Sequence, residues 1–145
     1  MTVSARLLLD NSAWVCLFDP AIPEGRGDEI ADEIGEERLV VCLPFLLEAG
    51  YSARNAADYE VIFDPLGAME RLPMTEGIEA RALDAHAQLV RIGHHRIPPV
   101  DLMIAAIAEH HHVGVLHYDA DYDLLLEKTD LDFHSEWLMP PGSLN

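Results

Sequence analysis

Short segments with an apolar centre alternate along this chain with longer segments of helical periodicity. Residues 6–10, 38–43 and 113–117 are the clearest of the apolar segments. Continuous apolar runs of this length are typical of strands that are buried on both faces of a parallel sheet. The alternation therefore predicts a three-layer α/β/α domain with a mostly parallel central sheet. A length of 145 residues suits one domain, and no linker or repeat divides residues 1–145.

Local signals set the expected bounds of the helices. Thr75 is a plausible N-cap for a long amphipathic helix ending before Gly93, and Pro98-Pro99 opens the helix at residues 100–110. Residues 20–27 hold two prolines and two glycines and are predicted to be a loop. The other predicted helices cover residues 12–18, 28–34 (ending at Gly35), 44–55, 56–69 (interrupted near Pro65) and 121–128, and a final edge strand covers residues 131–137.

The charge of the chain excludes a simple basic nucleic-acid clamp. Nine Lys and Arg residues stand against 26 Asp and Glu residues, which gives a formal net charge of −17. Passive binding to nucleic acid depends on Lys and Arg neutralising phosphates. A site built from carboxylates around a metal ion is compatible with this charge, because a bound cation inverts the local electrostatics.

Two further features bear on where the protein acts. The longest fully apolar run, residues 39–47, has nine residues and contains Pro44, whereas a membrane span needs about 18 or more. We therefore expect no membrane association. The two cysteines, Cys16 and Cys42, lie in apolar stretches and form no CxxC pair, so we expect buried free thiols and a cytoplasmic location.

Acidic residues occur where such a fold places its chemistry, beyond the carboxyl ends of the strands. Asp10 ends the first predicted strand, and Asp119 follows the strand at residues 113–117. Glu48 lies early in the helix after the second strand, and Asp101 lies at the start of another helix. We expect these four carboxylates to converge, with Asp121 and Asp123 close behind Asp119.

Each of the four acids has apolar neighbours in the sequence, and a carboxylate in such surroundings is costly unless it is paired or binds a cation. Oxygen ligands alone favour Mg²⁺ or Mn²⁺ over Zn²⁺. A structural interpretation is also available for single residues: Asp10 suits an N-cap, and Asp101 suits the first turn of a helix. The conjunction of four favours a metal site.

These residues resemble the signature of the PIN-domain ribonucleases, most closely the VapC-type toxins of bacterial toxin–antitoxin pairs. The resemblance covers nearly the whole chain, and its four acids are separated by 38, 53 and 18 positions. It is carried by the segments Leu9-Asp10-Asn11-Ser12-Ala13-Trp14, Leu47-Glu48-Ala49-Gly50-Tyr51-Ser52, Pro99-Val100-Asp101-Leu102-Met103-Ile104-Ala105-Ala106 and Leu116-His117-Tyr118-Asp119-Ala120-Asp121-Tyr122-Asp123.

The resemblance implies a PIN-like fold and a metal-dependent endoribonuclease that cuts a structured RNA, such as a tRNA, with Mg²⁺ or Mn²⁺. Asp121 matches an additional acid, Asp123 is a further candidate, and Ser12 with Asn11 matches positions that support the site. The resemblance also implies a homodimer and a VapB-like antitoxin, whose arginine would enter the acidic site. It assigns catalysis to Asp10, Glu48, Asp101, Asp119 and Asp121, and metal binding to the same residues except Glu48.

Three alternatives use the same features differently. A catalytically silent PIN-fold binding module would keep the fold and lose an acid, but all four are present. A phospho-acceptor receiver domain needs a lysine after its last strand, and Lys128 fits that place poorly. A phosphatase of the Asp-x-Asp type lacks its second acid here, because Ser12 occupies that position. The histidine clusters at residues 94–95 and 110–112 favour helix termini over a zinc site.

Overall fold

The computed structural model describes residues 6–17, 19–94 and 96–144. Within these ranges the chain forms five strands and seven helices. Their order is β1 (Leu7–Leu9), α1 (Asn11–Trp14), α2 (Glu24–Gly35), β2 (Leu39–Cys42), α3 (Leu43–Tyr51), α4 (Ala56–Leu66), β3 (Arg71–Leu72), α5 (Glu76–Arg91), α6 (Pro99–His111), β4 (Gly114–His117), α7 (Asp121–Lys128) and β5 (His134–Trp137).

The strands form one sheet in the order β3-β2-β1-β4-β5, and every pair of neighbours is parallel. Leu8, in the central strand, faces Val40 on one side and Val115 on the other. All residues of β1, β2 and β4 are buried, so helices cover both faces of the sheet. The predicted three-layer α/β/α fold with a parallel sheet is confirmed.

The core of this sheet is closed largely by α5 and α6. Ile104, Ile107 and the alanines between and beside them are fully buried, because the small side chains let α6 approach its neighbours closely. On α5 the predicted apolar stripe is buried at Ile78, Ala85 and Leu89, and the Thr75 hydroxyl accepts a hydrogen bond from the Ile78 amide at 3.2 Å. The predicted cap and the predicted stop at Gly93, which has φ +79°, are confirmed.

The predicted loop at residues 20–27 is wrong in its second half. Helix α2 begins at Glu24, four residues before the predicted start, with Pro23 at the N-cap. Proline is tolerated there because its missing N–H falls where a helix has no internal partner. The expected stop at Gly35 is also displaced: Gly35 is helical, and the left-handed residue that turns the chain toward β2 is Glu37, with φ 57°.

Other bounds shift by smaller amounts. The helix predicted at residues 44–55 ends at Tyr51, and Asn55 instead caps α4 by accepting a hydrogen bond from the Asp58 amide at 2.9 Å. Helix α4 continues through Pro65, because this proline lies one residue before the end and costs a single helical hydrogen bond. Helix α1 is shorter than predicted and ends at Trp14; Phe18 lies outside the described residues.

None of the helices described combines the length and apolar character that crossing a bilayer would require. Cys16 and Cys42 are free thiols, as predicted; Cys42 is buried, whereas Cys16 is partly exposed, so the predicted burial is wrong for Cys16. Burial raises the pKa of the Cys42 thiol to about 12, so this cysteine is an inert part of the core.

Candidate active site

The predicted acids meet at the carboxyl edge of the sheet. Asp10 directly follows β1, and Asp119 lies two residues beyond β4, the strand that pairs with β1. Asp101 lies in the first turn of α6, and Glu48 lies on α3, which follows β2. Because parallel strands end at the same edge, the fold brings these four positions together.

Asp10 is almost completely buried and fully hydrogen-bonded. Its Oδ2 accepts bonds from the Ser12 amide at 3.0 Å and from the Ser12 hydroxyl at 2.5 Å. Its Oδ1 accepts a bond from the Tyr122 hydroxyl at 2.6 Å. Asp10 is therefore also the N-cap of α1, so the structural and the functional interpretations of this residue hold together.

Ser12 links the two strand ends that carry the acids. Its hydroxyl donates to Asp10 and accepts a hydrogen bond from the Tyr118 amide at 2.8 Å. The loop after β4 is thereby fixed to the loop after β1. Asn11 contributes backbone hydrogen bonds in α1, and its side chain makes no hydrogen bond to the described residues.

Asp101 has a buried carboxylate oxygen that no described residue satisfies. It is 5% exposed, and its Oδ2 is buried without a hydrogen-bond partner among the described residues. Its Oδ1 is 3.4 Å from the Tyr122 hydroxyl, which is a weak contact. Burial, and then the charge of Asp10 and other nearby acids, raises the pKa of Asp101 to about 8.

Asp101, Asp119 and Asp121 form the tightest group. Each offers a carboxylate oxygen, and the three oxygens lie within 4.8 Å of one another. Asp119 Oδ1 accepts a hydrogen bond from the Asp121 amide at 2.9 Å. Burial and the charge of Asp119 raise the pKa of Asp121. Glu48 is half-buried, and burial, followed by the charges of Asp10 and Asp119, raises the pKa of its carboxyl group as well.

This arrangement fits a hard divalent cation. All the candidate ligand atoms are carboxylate oxygens, and the Oδ2 of one of these residues, Asp101, is buried without a hydrogen-bond partner in the part of the chain that the structure describes. Such an atom is costly unless a cation or a proton meets it. Mg²⁺ and Mn²⁺ take ligands of this kind.

Asp123 does not join this group. Its two carboxylate oxygens accept hydrogen bonds from the Ser135 hydroxyl at 2.9 Å and from the Trp137 indole N–H at 2.8 Å. Its place on α7, two residues after Asp121, turns it toward β5. Asp123 thus faces away from the other acids, and its two hydrogen bonds hold α7 to the edge strand β5.

Replacing Asp123 with alanine is expected to lower the free energy of unfolding by about 1 kcal/mol, because two hydrogen bonds to β5 are lost. Mn²⁺ affinity should change little. Urea unfolding and calorimetric titration measure the two effects. Glu127→Ala is the matched control, since Glu127 is an exposed acid on the same helix. Loss of Mn²⁺ binding in Asp123→Ala would instead place Asp123 in the metal site.

His117 connects Asp119 to Asp123 through the interior. The Asp119 amide donates to His117 Nδ1 at 3.1 Å, and His117 Nε2 lies 2.6 Å from the Ser135 hydroxyl. Because Nδ1 accepts, the proton is on Nε2, which donates to Ser135, and Ser135 donates to Asp123. Burial lowers the pKa of His117, consistent with a neutral ring at neutral pH.

Sequence reasoning missed Tyr122, the buried residue that joins Asp10 to the first turn of α7. The available signal was its place between Asp121 and Asp123, in the segment already singled out for its acids. Arg81 is bound to Glu109, Asp84 and Asp130, so it stabilises the packing of α5 instead of facing a phosphate.

The PIN domain family model matches residues 7–127, which include four strands of the parallel sheet and the carboxylate cluster at its carboxyl edge. The solved structure of DNA-bound VapBC from Salmonella typhimurium has the same fold. It superposes with a TM-score of 0.71 at 19% identity, over 92% of this chain and 98% of the other.

Two curated relatives place the chain within this class. Ribonuclease VapC51 of Mycobacterium tuberculosis is 35% identical over 143 residues, which cover 99% of this chain and all of the relative. Ribonuclease VapC18 of the same organism is 34% identical over 139 residues, covering 94% and 97%. The chain therefore belongs to the PIN-domain family, among the VapC ribonucleases, and the resemblance predicted from the sequence is confirmed.

Proposed function

We propose that this protein is the toxin of a VapBC-type toxin–antitoxin pair and a metal-dependent endoribonuclease that cuts a specific structured RNA, such as a tRNA, to inhibit translation. The observation that carries the metal-dependent chemistry is the buried Asp101 carboxylate: its Oδ2 has no hydrogen-bond partner among the described residues, and one of its oxygens lies within 4.8 Å of oxygens of Asp119 and Asp121. The names of the relatives support RNA as the substrate.

In this proposal Asp101, Asp119 and Asp121 hold Mg²⁺ or Mn²⁺, and Asp10 supports or joins them. A bound divalent ion neutralises phosphate charge and lowers the pKa of a bound water. Glu48 lies beside Asp10 and Asp119 and carries a raised pKa. A carboxylate with that property suits a general base that accepts the proton of the attacking water. Glu48 is thus assigned a catalytic role.

The charge of the chain favours a narrow choice of RNA. Ion pairs occupy Arg6, Arg26, Arg38, Arg54, Arg81 and Lys128. With a net charge of −17, phosphate neutralisation supplies little affinity for bulk RNA. Recognition of shape and unpaired bases in a folded RNA depends less on this electrostatic attraction.

The partners follow from the same charge and from the fold. We propose a VapB-like antitoxin with a basic segment, whose arginine side chain pairs with the carboxylates around Asp101. Similar solved structures are VapBC complexes, which supports such a partner. We also propose a homodimer, supported by exposed apolar side chains on α5 and just beyond its end, including Leu83, Val90 and Ile92, and action in the cytoplasm.

Incubation with total cellular RNA and Mn²⁺, followed by mapping of new 5′ ends, tests the activity. We expect one or a few discrete cuts by the wild-type protein, complete loss with EDTA, and no cuts by Asp119→Ala. Circular dichroism verifies that the variant is folded. Absence of any discrete cut at every metal concentration would favour a catalytically silent binding module instead.

A further inference from the structure

Tyr122 is a completely buried tyrosine in the middle of the acidic cluster. It lies in the first turn of α7, and its ring packs against His117 at 4.8 Å and against Phe133 at 6.4 Å between centroids. These ring contacts depend only on the aromatic carbons. Packing alone therefore fixes the position of the ring, and phenylalanine would fill the same space.

The hydroxyl group of Tyr122, in contrast, makes its contacts with two carboxylates. It donates to Asp10 Oδ1 at 2.6 Å and lies 3.4 Å from Asp101 Oδ1. A phenol has one proton, so the short bond to Asp10 takes it and Asp101 keeps its lone pairs. The hydroxyl oxygen stands between two buried acids that come from different elements, the end of β1 and the start of α6.

The hydrogen bonds of Asp10 and Asp101 differ, and this difference indicates different roles for the two acids. Asp10 has a donor on each oxygen, Ser12 on Oδ2 and Tyr122 on Oδ1. Asp101 has an oxygen that no described residue hydrogen-bonds, and it belongs with Asp119 and Asp121 to the group in which one oxygen of each residue lies within 4.8 Å of the others. Asp10 is therefore held in a fixed orientation, while Asp101 is left available for a cation.

We propose that the Tyr122 hydroxyl is a positioning group for the metal site: it holds Asp10 in place beside Asp101 and so sets the geometry in which the carboxylates bind a divalent ion. The inference rests on the proposed metal-dependent function and names a residue through which it operates. Without the hydroxyl, Asp10 Oδ1 loses its donor inside a buried, negatively charged cluster, and the two carboxylates repel each other without a dipole between them.

The test compares Tyr122→Phe with Tyr118→Phe in the full-length protein. Tyr118 is the matched control, because the substitution keeps its backbone amide and because its hydroxyl, within the described residues, contacts the Leu144 amide and none of the acids. Calorimetric titration with Mn²⁺ alone is the readout. We expect the dissociation constant of Tyr122→Phe to rise about tenfold, the size typical when a group that orients a metal ligand is removed, and that of Tyr118→Phe to match the wild type.

A second comparison separates positioning from a general loss of stability. In an Asp10→Ala background the hydroxyl has no short hydrogen-bond acceptor, so adding Tyr122→Phe should weaken Mn²⁺ binding no further. An equal additional loss in that background would overturn the proposal. So would an unchanged or tighter Mn²⁺ dissociation constant in Tyr122→Phe, or the same weakening in Tyr118→Phe.

A spectroscopic signature covers the case in which Tyr122→Phe fails to fold. Addition of Mn²⁺ to the Tyr118→Phe protein should produce a tyrosine ultraviolet difference spectrum, because binding of the ion to the carboxylates near the Tyr122 hydroxyl would change the electrostatic surroundings of this phenol. No such spectrum in a protein that binds Mn²⁺ would overturn the proposal. Absence of Mn²⁺ binding to the wild-type protein is a different result, since it would refute the metal-dependent function itself.

Discussion

Replacing Asp101 with asparagine is expected to abolish RNA cleavage and, at the same time, to stabilise the metal-free protein. The substitution keeps the size of the side chain and removes a carboxylate from the group formed with Asp119 and Asp121. Several kcal/mol of transition-state stabilisation depend on a bound ion, so we expect a loss of roughly 10³-fold in cleavage rate.

The stabilising effect has a separate physical origin. Burial and neighbouring acids raise the pKa of Asp101 to about 8 from its usual 3.8, so folding must either keep this group protonated or bury a charge. Asparagine is neutral in both the folded and the unfolded state, so folding requires neither protonation nor burial of a charge at this position. We expect the free energy of unfolding at neutral pH to rise by about 2 kcal/mol, discounted from the pKa difference because the acids are coupled.

Urea unfolding without metal and single-turnover cleavage with Mn²⁺ measure the two effects on the same preparations. Asp32→Asn is the matched control, because it removes the same charge from an exposed position on α2 and tests whether lower net charge alone stabilises the protein. If Asp101→Asn cleaves RNA at the wild-type rate, Asp101 is not part of the active site. Equal stabilisation by both variants would assign the gain to net charge.

The sequence was sufficient to predict the sheet and the meeting of the acids, for a topological reason. Apolar runs identify buried parallel strands, and residues just beyond such strands must share one edge of the sheet. Asp10 and Asp119 could therefore be placed together although 109 positions separate them. The start of α2 was not predictable in the same way. Gly25 and Gly27 lie in this helix although a Cβ at either position would meet only open space, so no local packing requirement marks them as helical in the sequence.

The roles of the acids on α7 needed side-chain geometry. Asp121 and Asp123 are two positions apart on a helix, about 200° around its axis, so they face different neighbours. The helical periodicity implies that Asp121 and Asp123 do not both belong to the same site. It does not indicate which of the two faces Asp101. Tyr122 was missed because an aromatic residue at the start of a helix is ordinarily core packing, and its hydroxyl acquires meaning only beside Asp10 Oδ1.

The metal-free protein is expected to lose stability as the pH rises from about 5 to about 8, and Mn²⁺ should restore it. An unfolded Asp101 releases its proton near its usual pKa of 3.8, whereas the folded one keeps it until about 8. The folded state therefore binds more protons in between, and raising the pH favours unfolding. The raised pKa values of Asp121 and Glu48 act in the same direction.

The buried His117 has the opposite effect. Its pKa is lowered by burial, so the unfolded state binds the additional proton near pH 6, and deprotonation there favours folding. The contribution of Asp101 is isolated by subtracting the pH profile of Asp101→Asn from that of the wild type, because His117 is common to both. We expect the difference between the two proteins to widen steadily toward pH 8.

Metal binding completes this linkage, because a cation requires the deprotonated carboxylate. Below the pKa of about 8, Mn²⁺ affinity should rise by up to about tenfold for each pH unit, as one proton is released for each ion bound. Calorimetry in two buffers of different ionisation enthalpy counts that proton directly. Two results would contradict this prediction: release of close to zero protons per Mn²⁺ bound, and a difference in stability between wild type and Asp101→Asn that does not change with pH. Together they would mean that Asp101 is ionised over the whole pH range, and its buried oxygen would then need a permanent cationic partner.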